Sequence, residues 1–134
     1  MAKLETIEGI GPVLGEKFAA AGVTTCEALL KAGASKAGRA ELAKKSGVSE
    51  AQILKFVNHA DLMRIKGVGG EYSELLECAG VDTVPELAQR NAANLIATLT
   101  ECNLEKKVVR ALPTEEQVSD WIAQAKSLPR TVSH

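Results

Sequence analysis

Apolar residues in this chain recur three and four positions apart, in short runs broken by glycine, proline or a capping residue, and no stretch alternates as a strand does. The pattern predicts an all-α fold. A short first helix is expected at 4–7. A second should start at Pro12, a residue suited to the first helical turn, and carry Val13, Leu14, Phe18 and Ala21 to a left-handed stop at Gly22. A third begins at Thr24 or Thr25, with Glu27 placed to complete a capping box, and ends near Gly33. The fourth spans 36–46 and stops at Gly47. The fifth opens with Ser49 and Gln52 as a capping box, carries Ile53, Phe56, Val57, Ala60 and Leu62, and is expected to reach about Ile65 as a strut. Further helices are expected near 71–79, 84–90, 92–102, 105–112 and 114–127. Pro129 then ends regular structure and leaves 129–134 as a mobile tail.

The later helices copy the earlier ones. Ile7-Glu8-Gly9-Ile10-Gly11 returns as Ile65-Lys66-Gly67-Val68-Gly69, and at the same offset Leu4 matches Leu62, Gly15 matches Ser73, Gly22-Val23 matches Gly80-Val81, Thr25 matches Thr83 and Leu29 matches Leu87. The offset then lengthens from 58 (Gly9 to Gly67) to 65 (Ser49 to Thr114), so that Ser49-Glu50-Ala51-Gln52-Ile53 meets Thr114-Glu115-Glu116-Gln117-Val118 and Phe56-Val57 meets Trp121-Ile122. This is the signature of an internal duplication with an insertion between Leu99 and Thr114. The expected architecture is two pseudo-symmetric repeats, about 2–61 and 62–128, of about five short helices each. At 134 residues they are expected to pack as one compact helical domain.

Composition narrows the class. Aromatics make up 3% and the apolar content is mainly Ala, Leu, Val and Ile, which suits closely packed helices. No apolar run is long enough to span a bilayer, and Met1-Ala2-Lys3-Leu4-Glu5 lacks the core of a signal peptide, so a cytoplasmic location and no membrane partner are expected. Cys26, Cys78 and Cys102 are odd in number and widely spaced, and are expected to be buried free thiols. With no Cys-x-x-Cys pair and only His59 and His134, no metal site or cofactor is expected.

The repeated glycine turns carry the functional signal. Two apolar positions precede each Gly-x-Gly, a small residue stands four positions after the second glycine, and an apolar residue follows three later. Leu4, Ile7, Gly9, Ile10, Gly11, Gly15 and Phe18 fit once; Leu62, Ile65, Gly67, Val68, Gly69, Ser73 and Leu76 fit again. The pattern resembles the helix-hairpin-helix motif of DNA repair, replication and recombination proteins. With its Gly-Val-x-Thr turns, the whole chain is also similar to an uncharacterised bacterial family of tandem helix-hairpin-helix proteins, a domain of unknown function. The resemblance implies non-specific binding of duplex or branched DNA, each hairpin holding backbone phosphate on one strand.

The physical basis is plain. Glycine permits positive φ and close approach of another backbone, while the following helix points unpaired N–H groups and its positive end at the same place. The same glycines also serve as tight turns that let helices pack. Candidate backbone-binding residues are Gly9, Ile10, Gly11 and Lys17 in the first copy and Arg64, Lys66, Gly67, Val68 and Gly69 in the second, with Ile10 and Val68 as buried anchors.

Charge makes the copies unequal. The chain is net −1; residues 1–60 hold eight Lys or Arg against six Glu, and 61–134 hold eight against eleven acidic residues. Nucleic-acid affinity depends on neutralising phosphate, so this balance opposes strong binding. Glu8 sits inside the first turn, where Lys66 fills the matching place in the second, and the second is therefore the better phosphate site. Lys36, Arg39, Lys44 and Lys45 offer one further basic face, and Lys106, Lys107 and Arg110 in the insertion another. Tyr72 is the only nearby aromatic for stacking.

Catalytic patterns are missing: neither Asp82 nor Lys66 is accompanied by the rest of a glycosylase or lyase signature, and no nucleophile elbow or phosphate-binding Lys-Ser/Thr loop occurs. Two classes remain. One is a non-enzymatic, sequence-independent DNA-binding accessory protein; the other is a helical adaptor for a protein partner.

Overall fold

The computed structural model describes residues 3–133, and the regular structure among them is entirely helical, with no strand. No helix of the described residues is long and apolar enough to cross a membrane. The chain divides into two compact units. One holds the residues up to Asp61 and takes the chain back at 131–133; the other is Leu62–Arg130.

The first unit opens with a 3-10 turn at Leu4–Thr6, followed by α1 (Pro12–Ala20), α2 (Cys26–Ala32), α3 (Lys36–Ser46) and α4 (Glu50–Leu62). Local chemistry sets the ends. Past α1 the Gly22 N–H donates to Ala19 O and the Val23 N–H to Phe18 O, each at 2.9 Å, with Gly22 at φ +85°. This is a Schellman closure, and its apolar partners Val23 and Phe18 are both buried. Thr25 caps α2 by accepting from the Ala28 N–H at 3.1 Å, which leaves Glu27 in the first turn where its charge favours the helix start. Ser35 caps α3 at 3.0 Å and Gly47 ends it in the left-handed region. Ser49 accepts from the Gln52 N–H at the head of α4.

Phe18 and Phe56 meet edge to face in the first unit, ring centroids 6.3 Å apart, among buried Leu4, Ile7, Leu29, Leu42, Ile53 and Val57. Residues 131–133 of the segment expected to be a mobile tail (129–134) are docked here instead, and His134 lies outside the described residues. Val132 is 2% exposed, the Ser133 N–H donates to Ala34 O at 2.8 Å, and the Arg39 guanidinium donates to Ser133 O at 2.8 Å. A buried apolar side chain and two short hydrogen bonds hold these residues, across a sequence separation that no local pattern registers.

The second unit contains α5 (Gly70–Cys78), α6 (Val84–Ala88), α7 (Ala92–Lys106) and α8 (Glu115–Ser127). α6 and α7 pack on α8, and α5 on α7. Its core is drawn from its own residues, among them Leu75, Leu76, Leu87, Leu95, Leu99, Val118 and Trp121. α5 ends as α1 does, with the Gly80 N–H on Glu77 O, the Val81 N–H on Leu76 O, and Gly80 at φ +88°. α8 opens with a complete capping box between Thr114 and Gln117.

Two boundaries differ from expectation. α4 stops at Leu62, because the Ile65 N–H donates three residues back to Leu62 O and so begins a turn rather than another helical turn. The helix expected at 105–112 is absent. α7 runs on to Lys106 and ends at Lys107, which takes a left-handed φ of 49° and donates its N–H to Asn103 O. The Val109 N–H then turns back to Asn103 Oδ1 at 2.9 Å, and Pro113 follows.

Candidate functional site

In the first unit the Ile7 N–H donates to Leu4 O and the Ile10 N–H to Ile7 O; in the second the Ile65 N–H donates to Leu62 O and the Val68 N–H to Ile65 O. Ile7, Ile10, Ile65 and Val68 are all buried, so each turn is anchored from beneath by its apolar residues. Gly9 and Gly67 occupy the third position of a four-residue turn at φ +93° and +97°, a conformation that an L side chain rarely adopts. A helix of the same unit closes against each: a Cβ on Gly9 would lie 3.3 Å from the Phe56 ring, and one on Gly67 would lie 3.0 Å from Trp121 Nε1. These two glycines are structural.

Gly11 and Gly69 are different. Their φ values of −98° and −101° suit any residue, and a Cβ on either would meet nothing within 4 Å. Neither internal packing nor backbone conformation asks for glycine there. Each is also the N-cap of the following helix, α1 or α5, and supplies no side-chain cap. The first N–H groups of such a helix have no intrahelical partner and point outward past the bare glycine. In α1 the first of these positions is Pro12, which has no N–H. In α5 it is Gly70, which has one, although the residue itself is buried at the edge of the second turn.

The second turn lies on an open depression of about 450 Å³ lined by Gly67, Gly69, Gly70, Glu71, Tyr72, Val109, Arg110 and Ala111. The irregular segment after α7 forms its other wall, pinned by the Tyr72 hydroxyl donating to Ala111 O at 3.1 Å. Exposed Arg110 is thereby brought to the glycine turn, and Glu71 stands in the same depression with opposite charge. A second depression that Gly67 also lines, about 310 Å³, holds Lys66, Trp121 and the carboxylates Glu116 and Asp120. The backbone of Lys66 is already bracketed by Gln124, whose Oε1 accepts the Lys66 N–H at 2.9 Å and whose Nε2 donates to Lys66 O at 3.2 Å. Lys66 can therefore offer only its side chain.

The remaining candidates scatter. Arg64 donates to Pro129 O at 2.9 Å. Lys17 lies roughly 9 Å along α1 from Gly11, at about 1.5 Å per residue, and so stands away from the turn. Arg39 does not join a basic face: it is 4% exposed, and its guanidinium donates to the carbonyls of Gly33, Ala34 and Ser133. Lys36, Lys44 and Lys45 are exposed but spread over about half a turn of α3 at roughly 100° per residue. Lys45 pairs with Glu41 at 3.2 Å. Of Lys106, Lys107 and Arg110, all exposed, Arg110 is the one that lines the depression.

Sequence reasoning passed over Gly70, whose only signal was that Pro12 holds the matching place. Among the described residues no group of three or more His, Cys, Asp or Glu is placed to hold a metal ion. A family model described as Domain of unknown function (DUF4332) matches residues 8–128. No curated protein and no solved structure matches the chain.

Proposed function

The chain belongs to the DUF4332 family, and we propose that it is a cytoplasmic, non-enzymatic accessory protein, a duplicated helix-hairpin-helix unit that binds DNA through the phosphate backbone without reading sequence. The observation that carries this reading is Gly69. It is a glycine that neither conformation nor packing requires, at the uncapped start of α5, with Arg110 in the same depression. A phosphate oxygen fits that need: it takes the outward N–H groups, gains from the helix dipole, and pairs with the guanidinium. The matching φ values and hydrogen bonds of the two turns support descent from one repeated unit.

The hairpins divide the work unequally. The second has the Gly70 N–H, Lys66 and Arg110; the first has Pro12 in place of that N–H, Glu8 in place of Lys66, and exposed Val13 in place of Glu71. With two or three phosphates neutralised, log affinity should fall against log salt with a slope of about −2 to −3. Glu71 and the net charge of −1 keep the binding weak.

Fluorescence anisotropy of a labelled duplex across salt tests this. Gly69→Asp keeps a good N-cap residue while placing a negative charge where phosphate would sit. It should weaken binding about tenfold or more, as should Arg110→Ala, without lowering the melting temperature. Gly11→Asp should leave binding nearly unchanged. Absence of binding at low salt, or equal binding by Gly69→Asp, would sink the reading.

One observation favours the adaptor alternative. Val13 is 68% exposed beside the first hairpin, flanked by Glu8 and Glu16, a surface better suited to a protein than to phosphate. Loss of a specific protein partner on Val13→Glu, in a chain that fails to bind DNA, would favour it.

A further inference from the structure

A third depression, about 330 Å³, opens where α6 gives way to α7 and α8 packs against both. Arg90 and Lys126 line it, and no carboxylate does. In this it differs from the two depressions at Gly67, which hold Glu71 in one and Glu116 and Asp120 in the other. It is also a separate place. At about 100° per residue, the α8 residues that line it, Ser119, Ala123 and Lys126, face away from Trp121 and Gln124, which serve the second glycine turn. We propose that this depression binds a phosphate monoester, at a site distinct from the glycine turns and additional to any hold on DNA.

Charge selects the ligand class. A phosphate monoester carries about −1.5 to −2 at pH 7, whereas each backbone phosphodiester of DNA carries a single charge, so two cations with no acid to offset them match the monoester. Arg90 spends one Nη1 donor on Ala79 O, at a long 3.4 Å, and keeps the rest of its fork for a bidentate bond. Lys126 is exposed, and its side chain leans toward the start of α8, where Ser119 stands on the same face. Asn91 already caps α7 by accepting the Asn94 N–H on Oδ1 at 3.2 Å, which leaves its amide Nδ2 to donate. Ala92, Ala123 and buried Ile122 give an apolar wall for the organic part of the ester, and the volume lies at the lower end of the roughly 300–1,000 Å³ of small-molecule sites. The sequence offsets that relate the two halves give no second copy: 58 positions before Arg90 stands Ala32, and 65 before Lys126 stands Asp61.

Nitrogen–proton correlation NMR of the full-length chain, titrated with adenosine monophosphate, adenosine and inorganic phosphate, tests the assignment. The monophosphate should shift the amides at 90–92 and 119–126, and adenosine should shift none of them. Inorganic phosphate, with no organic part to rest on the apolar wall, should bind about tenfold more weakly. Lys126→Gln and Arg90→Gln should each weaken the monophosphate about tenfold or more. Lys126 is exposed, so its variant reads the site even where loss of the Arg90 bond to Ala79 disturbs the link between α6 and α7. Gly69→Asp and Arg110→Ala should leave this binding as it was. No shift with the monophosphate, equal binding by Lys126→Gln, equal affinity for inorganic phosphate, or the same shifts with adenosine would overturn the proposal. So would release of the monophosphate by duplex DNA, which would make the depression part of a DNA surface.

Discussion

Glycines that look alike in sequence separate into two kinds once their surroundings are known. Gly67 is held at φ +97° with Trp121 against it, while Gly69 has an ordinary φ and open space. Gly67→Ala should therefore cost about 1–2 kcal/mol from backbone conformation alone, with more from displacing the indole, whereas Gly69→Ala should cost less than about 1 kcal/mol. Urea denaturation of the two variants decides the matter, and equal losses would mean that Gly69 is as structural as Gly67. The glycines themselves were legible in the sequence, and so was the inequality of Glu8 and Lys66. The contact partner was not, since Trp121 reaches Gly67 from a distant helix. Arg39 misled for a related reason. Charge on a helix reads as solvated surface, and the three carbonyls that draw this side chain inward all lie outside α3.

At the scale of elements, legibility followed the range of the interaction that ends each helix. Gly22, Gly47 and the Thr114–Gln117 capping box act within a few residues of themselves, and those boundaries were readable. The end of α7 was not. It depends on Asn103 accepting from both Lys107 and Val109, and on a lysine in the left-handed region, where the sequence offers no glycine as a signal. That ending matters to the candidate site, because the irregular chain beyond it carries Arg110 to the second glycine turn. The two glycine turns can be tested as interchangeable parts. Glu8→Lys combined with Pro12→Gly gives the first glycine turn the cation and the N–H that the second already has. Both positions are exposed, so stability should change little. Affinity for duplex DNA at low salt should rise several-fold; an unchanged titration would show that turn geometry and local charge do not make the site.

For the molecule as a whole, the return of the chain to its first unit is the feature that sequence reasoning could not supply. Val132 is buried, and the exposed Ser133 bonds to Ala34 O almost a hundred positions earlier, a pairing that neither periodicity nor composition encodes. Deleting the chain from Thr131 onward should lower the stability of the first unit and speed hydrogen exchange at 33–39, where Arg39 loses one of its three acceptors. Exchange in α8 should stay as it was. Uniform protection across both units in the truncated chain would mean that this docking contributes nothing.

The returning segment also fixes an order of events during synthesis. Val132 is delivered after α5 to α8, so the first unit cannot complete its core until the chain beyond the second unit has been made. The half encoded first therefore depends on residues encoded after the second unit, and until they arrive Arg39 is short of the Ser133 carbonyl.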